Sequence, residues 1–152
     1  MLKSSLVLTA VLLFSLVPTQ AEEAKSENPA LNTLGAVGAQ AIFSTYMAIA
    51  EMADLYGAKT YDKDKALQLA GAYSGLTESA KDSLSDLVAN GKLSTDDEAA
   101  VTQMIAINDL LGKTAKGIIA FIKEPTDENQ ALYDKNREKA WKSMSKFLGL
   151  EE

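Results

Sequence analysis

The chain has no cysteine and no histidine. Without cysteine there is no disulfide, no thiol nucleophile and no thiolate-bound metal. Without histidine the usual zinc ligand sets are excluded, as are haem bound through an imidazole and haem attached at C-x-x-C-H. Proline is sparse, at Pro18, Pro29 and Pro125. No segment alternates apolar and polar residues over a useful length, so strands are not expected. The nucleotide-binding signatures, the P-loop and G-x-G-x-x-G, are also missing.

Enzymatic chemistry finds few starting points. Ser74, Ser79, Ser83, Ser85, Ser143 and Ser145 all fall on predicted helices, and none sits in a G-x-S-x-G turn. Glu51 with Asp54, and Asp82 with Asp86, are carboxylate pairs at helical spacing, a pattern common on solvated faces. The sequence Asp62-Lys63-Asp64 opens like a calcium loop. Ala66 and Leu67 then stand where that loop needs an oxygen ligand and a glycine. The expectation is a non-enzyme with no cofactor and no metal site.

The N-terminus reads as an export signal. Lys3 supplies a positive charge, residues 6–17 form a short apolar stretch, and Pro18 bends the chain. Ala21 then offers a small residue before a cleavage point at Glu22. We expect residues 1–21 to be a signal peptide removed after export. Residues 22–28 would be a flexible lead-in, and residues 29–149 the folded domain. The whole chain carries −6; without its one-lysine signal segment it carries −7. That acidity argues against nucleic acid and anionic membrane surfaces as partners. Export and composition together suggest a periplasmic or secreted protein.

Four helices are expected. Asn28-Pro29 is a helix start, an N-cap followed by proline at the first turn, with Gly57 as the stop. The second helix opens near Asp62 and ends at Asn90-Gly91. Ser94 with Asp97 makes a capping box for the third, and Pro125 ends it. Thr126 caps the fourth, which stops at Gly149. Short connections between long helices predict an all-α, antiparallel, up-down-up-down four-helix bundle. At fold level this resembles exported four-helix modules such as periplasmic sensors and small cytochromes, although the haem ligands of the latter are absent.

The expected inner stripes are Leu31, Leu34, Gly38, Ala41, Thr45, Ala48, Met52 and Leu55 in the first helix, and Leu69, Tyr73, Leu76, Ala80, Leu84 and Leu87 in the second. The third offers Val101, Met104, Asn108, Leu111, Ala115, Ile118 and Ile122, and the fourth Tyr133, Ala140, Met144 and Phe147. Residues 76–81, LTESAK, and 111–116, LGKTAK, are alike. They lie 35 residues apart, five heptads, so shared bundle periodicity explains the likeness as well as duplication does.

Three features exceed what a bundle needs. Residues 29–50 are 22 residues without a charge. A helix lacking charge on its outer face is covered on more than one side, by its own fold or by a partner. We therefore expect association, either between copies or with an envelope protein. Leu34, Val37, Ala41, Ile42 and Ile49 are the candidate contacts. Next, Gly71 and Gly75 repeat at i, i+4 inside the second helix, among small residues. They suggest close helix packing or, as the alternative function, a cavity in which a carrier or sensor holds a small apolar ligand, with Asn108 as its polar contact. Otherwise Asn108 would fix helix register. Finally, Lys135, Lys139, Lys142 and Lys146 line one face of the last helix, which reads foremost as a solvated face.

Overall fold

A computed structural model describes residues 28–150. The expected signal peptide and all but the last residue of the expected lead-in lie outside the described residues. Four α-helices follow one another: α1 Pro29–Gly57, α2 Lys63–Asn90, α3 Thr95–Lys123 and α4 Asp127–Phe147. They account for 87% of the described residues, among which there is no strand. The fold is the expected antiparallel four-helix bundle.

Each helix starts where its first residues can satisfy the free N–H groups of the opening turn. Asn28 Oδ1 accepts from the Ala30 N–H at 3.0 Å, and Asp62 Oδ1 from the Lys65 N–H at 2.8 Å. Ser94 Oγ accepts from the Asp97 N–H, and Thr126 Oγ1 from the Asn129 N–H, both at 3.2 Å. A side-chain cap of this kind is worth about 1 kcal/mol. The capping box at α3 differs in one detail: the Asp97 carboxylate accepts from the Ser94 hydroxyl at 2.7 Å. Gly149, at φ +65°, follows α4 in the left-handed conformation that glycine adopts freely.

The core is centred on α3. All seven residues of its expected stripe are buried, and so are Ile107, Gly112, Thr114 and Gly117. The most extensive packing is between α2 and α3, followed by α3 and α4; α1 packs more lightly, chiefly on α3. Two glycines allow the close approaches. A Cβ on Gly117 would stand 3.1 Å from the Tyr133 Cα of α4, and one on Gly38 of α1 would run into the Met104 Cε.

Two of the expected stripes are rotated. In α1 the buried residues are Ile42, Tyr46, Ile49, Ala50 and Met52, so only Met52 survives from the expected set as fully buried. The larger side chains Ile42, Tyr46 and Ile49 win the core position over Ala41, Thr45 and Ala48, one residue away on the helix. In α2, Leu76 is 62% exposed and its neighbour Thr77 is buried. The buried series Ala66, Ala70, Thr77 and Leu84 keeps the helical period, and Leu76 falls outside it. In α4, Tyr133, Ala140 and Met144 are buried as expected, and Phe147 is half-buried.

Candidate functional site

The five association candidates on α1 divide into two groups. Ile42 and Ile49 are 2% and 1% exposed and belong to the core of the monomer. A partner could not reach them without unfolding the helix from α3. Leu34 is half-buried, while Val37 and Ala41 face outward. The outward face of α1 also presents Ala36, Gln40, Phe43, Ser44 and Met47, so it is largely apolar and wholly uncharged over these turns. By length and composition α1 could cross a membrane, yet only 22% of its most apolar stretch is buried against the rest of the fold.

This face continues onto α4. Trp141 stacks on Tyr46 with ring centroids 5.3 Å apart at 43°, and Trp141 remains substantially exposed. Beside this pair an open groove of about 340 Å³ is lined by Tyr46, Met47, Ala50, Glu51, Asp54, Leu55 and Arg137. The Arg137 guanidinium lies where its N–H groups face the neighbouring Tyr46 hydroxyl oxygen, an acceptor that raises its pKa. Behind it the Tyr133 hydroxyl is buried with no hydrogen-bond partner among the described residues. Burial pushes its pKa from 10.0 up to about 12. Sequence reasoning missed Phe43 and Met47. Their apolar character was visible, but which side of α1 faces α3 was not.

Gly71, Gly75 and Asn108 do not come together. Gly71 and Gly75 are exposed, with nothing within 4 Å of where a Cβ would stand. They therefore line neither a tight helix contact nor a cavity. Asn108 is buried on α3, and its Nδ2 donates to the Met104 carbonyl of its own helix at 2.9 Å. A bond within one helix does not fix register between two.

Asn108 lines a different recess, on the α2–α3 surface. Thr77, Glu78 and Lys81 line it from α2; Asn108, Asp109, Gly112, Lys113 and Lys116 line it from α3. Its charged side chains form an alternating chain. Lys113 meets Asp109 at 2.6 Å, Asp109 meets Lys81 at 3.9 Å, Lys81 meets Glu78 at 2.9 Å, and Glu78 meets Lys116 at 3.6 Å. The Glu78 carboxyl is held below the ordinary carboxylate value, first by the hydrogen bond from Lys81, then by the charges of Lys81 and Lys116. The same hydrogen bond raises the Lys81 pKa.

Among the described residues no group of three or more Asp or Glu could hold a metal ion. The lysine face of α4, Lys135, Lys139, Lys142 and Lys146, is exposed to solvent. Comparison with protein-family models, with curated proteins and with solved structures gives no match to this chain.

Proposed function

We propose that this is an exported, non-enzymatic association module of a bacterial periplasm, and that its partner is a second copy of the chain. The observation that carries the reading is the outward face of α1. It is apolar, uncharged through residues 29–50, and uncovered by the described residues of the monomer. Exposed apolar patches of this kind mark interaction surfaces. The aromatic, methionine and arginine side chains around it, Phe43, Met47, Trp141 and Arg137, are the types enriched at the centres of interfaces.

Charge favours a second copy. A protein near −7 repels itself over most of its surface. The α1 face is where two copies approach without placing like charges together, and a two-fold pairing uses the same patch on both. A membrane is disfavoured by the same acidity and by Asn32, Gln40, Ser44 and Thr45 within the apolar stretch.

The absence of cysteine makes the test clean. A single Val37→Cys variant, treated with a short bis-maleimide, is expected to give a covalent dimer. Ser85→Cys, exposed on α2, is expected to stay monomeric. Equal cross-linking at both positions contradicts the reading, and so does partitioning of the protein into phosphatidylcholine vesicles through α1. The carrier alternative draws no support from Gly71 and Gly75, which face open solvent.

A further inference from the structure

The two similar hexapeptides meet across the antiparallel α2–α3 pair. The second, third and sixth residues of each line the same recess: Thr77, Glu78 and Lys81 from 76–81, Gly112, Lys113 and Lys116 from 111–116. Bundle periodicity explains why both segments face each other. It does not require three lysines there in an acidic protein.

Two acids and three lysines leave the recess with a net positive charge. The side chains of Lys113 and Lys116 are more than half exposed, and exposed ion pairs contribute little. Their ammonium groups therefore keep unused N–H donors and can turn onto a ligand at small cost. At the base, Thr77 is 2% and Asn108 7% exposed. Asn108 Nδ2 is committed to Met104, and no protein group among the described residues donates to its Oδ1. Thr77 Oγ1 donates to the Ser74 carbonyl at 2.9 Å, which leaves its lone pairs as acceptors. A Cβ on residue 112 would stand 3.0 Å from that oxygen, so Gly112 keeps the floor open beside it. The recess measures about 130 Å³, room for a handful of heavy atoms.

A ligand that fits must be a small anion, to match the lysines. It must also carry a hydrogen-bond donor, to satisfy Asn108 Oδ1 and to lie beside Asp109 and Glu78. We propose that this recess binds a protonated phosphate group, either inorganic phosphate, which keeps at least one proton at neutral pH, or the monoanion of a phosphomonoester, whose second proton is lost at about pH 6. Its oxygens accept from Lys81, Lys113 and Lys116, and its O–H donates to Asn108 Oδ1. Sulfate has the same shape but no proton at neutral pH, and a phosphodiester has none either. Both leave the Asn108 acceptor unpaired.

The test is a chemical-shift titration of the purified protein at pH 7 and constant ionic strength. Inorganic phosphate and methyl phosphate identify a free ion or a monoester as the ligand; sulfate and dimethyl phosphate are the controls. Saturable shifts at Asn108, Lys113 and Lys116 are expected with phosphate, with sulfate at least about tenfold weaker, the effect of one charge-assisted hydrogen bond. The exposed double variant Lys113→Ala/Lys116→Ala is expected to fold normally and lose the binding. Asn108→Leu is expected to keep the fold and lose the preference for phosphate over sulfate. No saturation, equal binding of sulfate, or undiminished binding by the lysine variant overturns the proposal.

Discussion

α1 and α3 are both 29 residues long and both rich in apolar side chains, yet α3 buries eleven residues and α1 five. The less charged helix is the less covered one. α3 carries Asp109, Lys113 and Lys116 along one narrow strip, which leaves its remaining faces free to pack against α2, α4 and α1. α1 carries no charge for its first 22 residues and packs through a single side, that of Ile42, Tyr46 and Ile49. Lack of charge thus marks a surface that tolerates being dry. Whether it is dry inside the monomer depends on the neighbours that topology supplies.

The largest effects should separate the two helices. Leu111→Ala, at a fully buried position of α3, is expected to cost about 3 kcal/mol in denaturant unfolding. Met47→Ala, on the open face of α1, should change monomer stability by no more than about 0.5 kcal/mol. A large loss at Met47 in the monomer would mean that α1 is covered from within, and the comparison would fail.

Alkaline titration tests the packing between α1 and α4. Tyr133 titrates near 12 in the fold and near 10 when unfolded. The unfolded chain therefore releases its proton first. The stabilisation is complete below pH 10 and is lost as pH rises from 10 towards 12, by up to about 3 kcal/mol. Tyr133→Phe removes a buried hydroxyl that has no partner among the described residues, should raise stability at pH 7 by about 1 kcal/mol, and should abolish this alkaline loss. Equilibrium unfolding of both proteins at pH 8, 10 and 11.5 checks it.

Glycine substitutions give smaller effects of opposite sign. Gly71→Ala and Gly75→Ala fill open space on an exposed helix face and should each stabilise α2 by about 0.5–1 kcal/mol. Gly117→Ala places a methyl against the α4 backbone at Tyr133 and should lower the melting temperature. The smallest effect concerns Glu78. Its stabilisation is present above the unfolded value near 4.5 and disappears as pH falls through its lowered folded pKa. A side-chain carbon titration of Glu78 in wild type and Lys81→Ala reads the shift directly.

Helix number, order and ends were legible because caps are local chemistry. Asn28, Asp62, Ser94 and Thr126 act within three residues of themselves, and all four cap as the sequence implies. The stripe of α3 was legible because a helix packed on several sides buries its main apolar series whichever way it is turned. The stripes of α1 and α2 were not, since a rotation of one residue exchanges Ile42 for Ala41 or Thr77 for Leu76. Only the neighbouring helices decide that rotation. For the same reason Ile42 and Ile49 read as contacts for a partner, while the exposed Phe43 and Met47 went unnoticed. The recess between α2 and α3 was half visible, as a likeness between two hexapeptides whose meeting requires the antiparallel pairing.

The most direct test of the association account is the solution mass of the purified protein by light scattering over a concentration series. Met47→Glu and Leu76→Glu should be run beside the wild type, since both positions are exposed but lie on different helices. The account predicts a dimer for the wild type and for Leu76→Glu, and a folded monomer for Met47→Glu. A wild-type monomer at every concentration, or a Met47→Glu dimer as stable as the wild type, would contradict it.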